Sequence, residues 1–242
     1  QNFLPTVEIR ALGKVGSAQD PPDKAGLANL TASLLDEGTL TRTSRQIAEQ
    51  IDFVGGSLEA HAAEDFTTAS TRVLKKDADL GFALLADMLQ HPAFHKQEFE
   101  RVRTQILGEI VSDDDDPGNV AMKAFHQLIF HGHPYSWPAH GTEETLNKIT
   151  VADIQQFHAR EYLPNQTILV IVGDLTQDQA AALVQTHFGS WKKGPPSPYQ
   201  IKKPASIERK MVQLIEKDLT QSTIVLGHTG ISRTNPDYYA VT

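Results

Sequence analysis

The sequence contains no cysteine. Disulfide bonds, thiolate nucleophiles and cysteine-ligated zinc sites are therefore excluded. Long apolar runs are also missing, since none reaches the ~18–20 residues that span a bilayer. No basic segment followed by an apolar stretch marks a signal peptide near the amino terminus. The chain begins with Gln1 instead of methionine, which leads us to expect that the natural start was removed.

Positive charge is scarce. The chain has 22 lysines and arginines against 30 aspartates and glutamates, which gives a net charge of −8. This balance disfavours nucleic acid as the main partner, because binding to phosphates needs clustered cations. Glycine-rich phosphate-binding motifs and the G-x-S-x-G motif of serine hydrolases are absent from the sequence as well. Nucleotide-binding proteins and serine hydrolases of those types are therefore disfavoured.

What the sequence does contain is the pattern of a folded domain. Hydrophobic residues make up 40% of the chain, enough for a sizeable core. Periodicity predicts strands at 6–12, 57–63, 66–74 and 167–172. It predicts helices at 26–37, 44–53, 77–89, 96–111, 120–130, 151–162 and 177–187. Because strands occur in adjacent pairs and alternate irregularly with helices, we expect the α+β class. The expected architecture is a two-layer sandwich, with helices packed on one face of a mainly antiparallel sheet.

The chain length corresponds to about one and a half domains. The segment Gly194-Pro195-Pro196-Ser197-Pro198 is typical of a linker. After it, strands predicted at 211–216 and 222–226, and a helix opening at Asn235, restart the pattern. We therefore predict a first domain at 1–193, a linker at 194–206 and the start of a second domain at 207–242. In this interpretation, the first strand of the first domain and the rest of the second domain lie outside the sequence.

Several short motifs occur in an order and spacing that resemble a known family. They are Gly16-Ser17-Ala18-x-Asp20-Pro21, Lys24-x-Gly26-Leu27-Ala28, Glu37-Gly38-Thr39, Gly55-Gly56-x-Leu58-x-Ala60, Leu85-x-Asp87-Met88-Leu89-x-x-Pro92-x-Phe94, His133-Pro134-Tyr135, Tyr162-x-Pro164-Asn165 and Ile171-Val172-Gly173-Asp174. Each motif alone is loose, but together they resemble the amino-terminal half of the pitrilysin/insulinase zinc peptidases. The resemblance is to the bacterial processing proteases and the mitochondrial processing peptidase subunits in particular. The segment from Gly230 to Tyr239 resembles the start of that family's second, homologous domain.

Active members of this family carry H-x-x-E-H on their first helix. Its two histidines lie one turn apart on one face and bind Zn²⁺, its glutamate is the general base, and a glutamate on a later helix completes the ligands. Here the matching pentapeptide runs from Asn29 to Ser33. Asn29 and Ser33 replace the histidines, Ala32 replaces the base, and Glu109 matches the later glutamate. The resemblance therefore implies a degenerate site with no catalytic residues and no bound metal.

No H-x-x-E-H occurs elsewhere in the chain. His158 would need a second histidine one turn further on, and Tyr162 stands there. His131 and His133 belong to a loop that matches the family's His-Pro-Tyr motif. We expect structural roles for these three histidines.

The family's peptidases are built from four homologous domains around a chamber, often as separate subunits, and only one domain carries zinc. The resemblance thus implies a non-catalytic subunit that closes the chamber and helps to bind a peptide substrate. No cofactor is expected in this chain, and zinc is expected in a homologous partner that bears H-x-x-E-H. In active relatives the substrate adds as an extra strand after the double glycine. The corresponding candidate substrate-binding residues are Ser57, Leu58, Glu59, Ala60 and His61.

Two alternatives stay open. One is a zinc metalloendopeptidase whose site uses other residues, and the other is a purely structural assembly subunit. An Arg–Tyr pair that orients the peptide in non-catalytic members would lie beyond Thr242. Bacterial relatives of this type are commonly exported, so a periplasmic or otherwise exported location is expected. Neither a nucleic-acid partner nor a transmembrane segment is expected.

Overall fold

A computed structural model describes residues 4–195, 201–218 and 220–241. Its sheet has four antiparallel strands in the order β2-β3-β1-β4. The strands are β1 (Thr6–Gly13), β2 (Ser57–Ala62), β3 (Thr67–Leu74) and β4 (Thr167–Gly173). Pro196, Ser197 and Pro198 of the predicted linker lie outside the described residues.

The strands are joined by helices, two of which are a single turn long. The helices are α1 (Leu27–Ala32), α2 (Ser44–Phe53), α3 (Ala78–Gln90), α4 (Lys96–Asp115), α5 (Pro117–Ile129), α6 (Glu143–Leu146), α7 (Val151–Glu161), α8 (Gln177–Phe188) and α9 (Tyr238–Val241). In the part of the chain that the structure describes, no helix is long and apolar enough to cross a membrane.

The core lies between one face of the sheet and the helices. Along β1, Val7 and Ile9 are fully buried, whereas Glu8 and Arg10 point to the opposite face and form an ion pair there. Successive side chains of a strand point to opposite faces, so one face of the sheet packs on the helices and the other stays open. Phe82 of α3 and Phe157 of α7 are among the large side chains that fill the core. The predicted α+β sandwich is confirmed.

The first helix is shorter than predicted. Periodicity indicated a helix over 26–37, but α1 ends at Ala32, and the amides of Leu34 and Leu35 then bond three residues back, in tight turns. Beyond these turns, Glu37 pairs with Arg101 on α4 at 2.5 Å.

The two strands predicted after the linker do not form. Within the described residues of 201–241, the chain at 211–216 and 222–226 has no strand partner. Val212 and Ile224 are largely exposed there. A strand is defined by hydrogen bonds to a neighbouring strand, so apolar alternation alone does not create one. The helix predicted to open at Asn235 is present, as the single turn of α9. The second domain itself remains a prediction.

Candidate functional site

The start of helix α1, which carries the degenerate motif, is held in place by Gly26 and Asp20. Gly26 precedes it with φ of +96°, and a Cβ there would lie 2.7 Å from the carbonyl oxygen of His140. The carboxylate of Asp20 accepts hydrogen bonds from the amides of Gly26 and Ala28, each at 2.9 Å. Burial raises the pKa of Asp20 to about 7, although the backbone amides at the helix start oppose this shift. Helix α1 is thereby fixed against its surroundings.

Helix α1 presents the degenerate motif beside strand β2, against which it packs. Asn29 and Ser33 are partly exposed and lie one turn apart, whereas Ala32 is fully buried. Glu109 is exposed on α4 and accepts a hydrogen bond from Gln105 of the same helix at 3.0 Å.

These residues do not fit a zinc ion. Zinc sites in proteins use imidazole, thiolate and carboxylate ligands, and catalytic sites have three of them. Asn29 and Ser33 offer an amide and a hydroxyl, Ala32 offers no donor, and Glu109 alone supplies a carboxylate. In the described ranges, no group of three or more histidine, aspartate or glutamate side chains could hold a metal ion.

Strand β2 is an edge strand whose outer backbone groups can be assigned. Next to the turn into β3, the amide of Ala63 donates to the carbonyl of Phe66 at 2.8 Å. Hydrogen-bonded and non-hydrogen-bonded pairs alternate in antiparallel ladders. Ser57, Glu59 and His61 therefore bond to β3, in the register Ser57↔Arg72 to Ala62↔Thr67. The amides and carbonyls that point away from β3 belong to Leu58, Ala60 and Ala62.

The side chains of β2 divide between the two faces of the sheet. Leu58, Ala60 and Ala62 pack towards the helices. Glu59 and His61 lie on the open face, where Glu59 accepts a hydrogen bond from Ser70 at 3.1 Å and lies 3.5 Å from the His61 ring. The five predicted substrate-binding residues thus share one edge strand next to α1. Their role in binding remains a prediction.

The loop after α1 is positioned by a buried carboxylate, Asp87. The sequence analysis predicted no role for this residue. Asp87 of α3 accepts hydrogen bonds from the hydroxyls of Thr39 and Thr41, each at 2.7 Å, and pairs with Arg42 at 2.6 Å. Burial alone would raise the pKa of Asp87, but these three partners outweigh it, so the pKa is lowered. The signal that could have identified it is a charged residue within the apolar run of a predicted helix.

A second acidic residue lies where α1 approaches β2. Burial raises the pKa of Asp36, and the neighbouring Glu37 adds to the shift, whereas His61 and Arg101 oppose it. Asp36 therefore lies within electrostatic reach of the β2 edge. Because it sits on the irregular turns that replace the predicted helix end, periodicity could not have placed it there.

Two of the histidines that were weighed as ligands, His158 and His133, contact backbone groups. His158 Nε2 donates to the carbonyl of Leu89 at 3.0 Å. His133 Nδ1 accepts from the amide of Tyr135 at 3.2 Å, while Nε2 donates to the carbonyl of Lys202 at 2.7 Å. The structural roles expected for these two histidines agree with these contacts.

Known proteins share the sequence pattern of this chain. The chain matches the profile described as "Insulinase (Peptidase family M16)" over residues 4–143 and that of the "Peptidase M16 inactive domain" over residues 148–242. It is 29% identical to an "uncharacterized zinc protease" of Rickettsia bellii over 233 residues, covering 96% of this chain and 56% of the relative. It is 35% identical to one of Mycobacterium leprae over 190 residues, covering 77% and 43%. The chain thus spans about half the length of these curated relatives.

Solved structures agree with these matches. A peptidase M16 inactive domain from Pseudomonas fluorescens has a TM-score of 0.79 at 27% identity, over 85% of this chain and 50% of that one. The first half of the periplasmic protease PqqL from Escherichia coli has a TM-score of 0.75 at 18% identity, over 84% and 45%. The second likeness establishes the fold alone. With the first profile covering more than half of its length, the chain belongs to the insulinase family of peptidases, family M16.

Proposed function

We propose that this chain is a non-catalytic half of a two-part M16 peptidase. It closes the chamber and binds a peptide for a homologous subunit that carries H-x-x-E-H and the zinc ion. The observation that carries the proposal is the replacement of both histidines and the base on α1, at Asn29, Ser33 and Ala32, beside an edge strand that can accept a peptide. Without an imidazole pair, no zinc-bound water is held, and without the glutamate no base removes its proton.

In this proposal the peptide adds to β2 as an antiparallel or parallel extra strand. The outer amides and carbonyls of Leu58, Ala60 and Ala62 supply main-chain hydrogen bonds, which do not depend on the peptide's sequence. Glu59 and His61 flank the peptide on the open face. We further propose that residues 1–193 form the first domain and that a second, homologous domain starts at 207.

Mixing experiments test the role of the chain. The purified chain alone is expected to leave peptides intact, and adding an H-x-x-E-H-bearing homologue from the same organism is expected to yield more peptidase activity than the homologue alone. Unchanged activity, despite formation of the complex, would favour a purely structural subunit. Zinc titration tests the remaining alternative, because stoichiometric tight binding by this chain would show a relocated metal site.

A proline substitution tests the binding edge. The amide of Ala62 points away from β3, so Ala62→Pro removes an outer donor and keeps the ladder to β3. We expect about 10-fold weaker binding of a fluorescent unstructured peptide, since a lost hydrogen bond of ~1.4 kcal/mol corresponds to that factor. Leu169→Pro on the opposite outer strand, β4, is the matched control. The bonds from the Asp174 amide to Thr6 and from the Lys14 amide to Gln166 end the β1–β4 ladder, and alternation between them makes the Leu169 amide point away from β1. Equal binding by both variants would contradict the assignment of the peptide to β2.

A periplasmic location forms part of the proposal. It is supported by the structural likeness to the periplasmic protease PqqL. Fractionation of the native host, with detection of this protein in the periplasmic or the cytoplasmic fraction, tests it directly.

A further inference from the structure

The loop after α5 contacts the segment that follows the first predicted domain. His133 is buried in this loop, directly before the short turn Pro134–Ser136. Its Nε2 donates to the backbone carbonyl of Lys202 at 2.7 Å, 69 residues further along the chain. Lys202 belongs to the predicted linker at 194–206, so one histidine side chain fixes the linker to the body of the domain.

The two partners of the His133 ring determine its protonation state. Nδ1 faces the backbone amide of Tyr135 at 3.2 Å, and an amide nitrogen can only donate. Nε2 faces a carbonyl oxygen, which can only accept. A neutral imidazole with its proton on Nε2 therefore satisfies both contacts. An imidazolium carries a proton on each nitrogen, so the proton on Nδ1 would point at the amide proton of Tyr135.

Within the described residues, no carboxylate pairs with the ring of this histidine. At the end of α5, Phe130 approaches the ring with centroids 6.0 Å apart, and His126 contacts the Phe130 ring instead. The carboxylate of Asp65, in the turn between β2 and β3, accepts a hydrogen bond from the Tyr135 hydroxyl at 2.6 Å. The turn Ser17–Gln19 packs on the same loop and has no ionisable side chain. A protonated ring thus gains no counter-charge from these contacts.

The linker carries the same sign of charge as a protonated histidine. Lys202 and Lys203 are exposed beside the carbonyl that His133 binds. His131, two residues before the ring, is exposed as well and adds a charge of the same sign when it is protonated. Protonation of His133 therefore removes a hydrogen-bond acceptor and places like charges close together.

We propose that His133 is a protonation-dependent anchor of the linker. The neutral ring binds the Lys202 carbonyl and fixes the linker to the first domain. Protonation of Nδ1 breaks the match with the Tyr135 amide, so the ring leaves its position and the linker is released. This inference concerns only the segment after the first domain, and it holds whether or not β2 binds a peptide.

Trypsin cleavage after Lys202 measures release of the linker, because the protease needs the same carbonyl that His133 binds. When opening is fast, cleavage of a native protein follows the population of its open form. At each pH, the rate in the intact chain is divided by the rate in a free peptide with the linker sequence around Lys202, which cancels the pH dependence of trypsin. Cleavage after Arg103, within α4, measures global unfolding and is subtracted. We expect the normalised rate to be about 10-fold higher near pH ~6 than near pH ~8, the factor that corresponds to one hydrogen bond.

Three variants separate the anchor from other effects of pH, with circular dichroism as the check on folding. His133→Phe keeps an aromatic ring but cannot donate, so rapid cleavage is expected at both pH values. His133→Gln keeps an amide donor and does not titrate, so its normalised rate is expected to be independent of pH. His131→Gln, at the exposed histidine of the same loop, is the matched control and is expected to respond to pH as the wild type does.

Equal cleavage of the wild type and His133→Phe near pH ~8 would overturn the proposal, since the ring would then hold nothing. A pH response that persists in His133→Gln, or one that disappears in His131→Gln, would assign the proton to another group and overturn it as well. If His133→Phe fails to fold, the comparison between the wild type and His133→Gln decides the outcome.

Discussion

One histidine, His158, is expected to contribute to the acid destabilisation of this protein. Its ring stacks on Tyr162 with centroids 4.8 Å apart, meets Phe94 edge-on at 5.4 Å and donates from Nε2 to the carbonyl of Leu89 at 3.0 Å. Burial lowers the pKa of His158 to about 4, although the Leu89 carbonyl favours the charged form. The folded protein thus holds this histidine neutral at a pH where an unfolded chain protonates it.

The size of the effect follows from linkage. Unfolded histidine titrates near pH ~6.5, so between that value and the folded pKa of about 4 the unfolded state binds the extra proton. The free energy of unfolding therefore falls as the pH falls through this interval and is unaffected by His158 above it. At ~1.4 kcal/mol for each pH unit, the full interval corresponds to about 3 kcal/mol.

Urea unfolding of the wild type and of His158→Gln, at neutral pH and near pH 4, measures this term. Glutamine can still donate to the Leu89 carbonyl but does not titrate. We expect the wild type to lose about 3 kcal/mol more than the variant on acidification. Comparing the two proteins cancels the other titrating groups. His126→Gln, at an exposed histidine, controls for the loss of one imidazole. Equal loss of stability by wild type and His158→Gln would refute the reasoning.

Three further substitutions probe the support of α1 and its loop. Asp87→Asn leaves the guanidinium of Arg42 partly buried without its counter-charge, and we expect a loss of about 3 kcal/mol in urea unfolding at neutral pH. Because the pKa of Asp87 is lowered, that difference should shrink as acid protonates the wild-type carboxylate. Gly26 has φ of +96°, and a Cβ there would lie 2.7 Å from the His140 carbonyl oxygen, so Gly26→Ala should lower the free energy of unfolding by about 2 kcal/mol or more. Gly132 has φ of +71° with open space around it, so Gly132→Ala should lower it by about 1 kcal/mol. Equal shifts of the melting temperature would contradict this. The raised pKa of Asp20 lowers stability as the pH rises from about 4 to 7, opposite in sign to the contribution of His158, so over this interval the wild type should lose stability relative to Asp20→Asn. An identical pH dependence of the two proteins would contradict this.

The elements that the sequence predicts well have local signals at their ends. Helix α2 begins and ends where periodicity places it, because Thr43 forms a capping box with Gln46 and Gly55 follows its end with positive φ. The elements that it predicts poorly depend on distant partners. The run at 167–172 is apolar throughout, which is typical of a fully buried strand. Its burial alternates in the structure, because one face of the sheet packs on the helices and the other face stays open.

The residues of the candidate site also differ in whether the sequence alone predicts their role. The residues that replace the zinc ligands and base, Asn29, Ala32 and Ser33, can be read from the sequence alone, because motif spacing is local. Asp20 and Asp87, which hold the two ends of the α1 region, could not be assigned roles in this way. Asp20 bonds to amides six and eight residues further on, across an irregular segment, and Asp87 bonds to hydroxyls 46 and 48 residues earlier in the chain. Neither contact leaves a periodic pattern in the sequence.

The sequence by itself determined the family, the α+β class and the chemistry that α1 cannot perform, because these depend on which residue types occur and in which order. Only the tertiary structure decided that the same helix lies beside β2, that β2 and β4 are the two edges of the sheet and which backbone groups face outward from each. The physical reason is that an edge is defined by hydrogen bonds that a strand lacks on one side. That property belongs to the arrangement of the strands in space and is not encoded in any short stretch of residues.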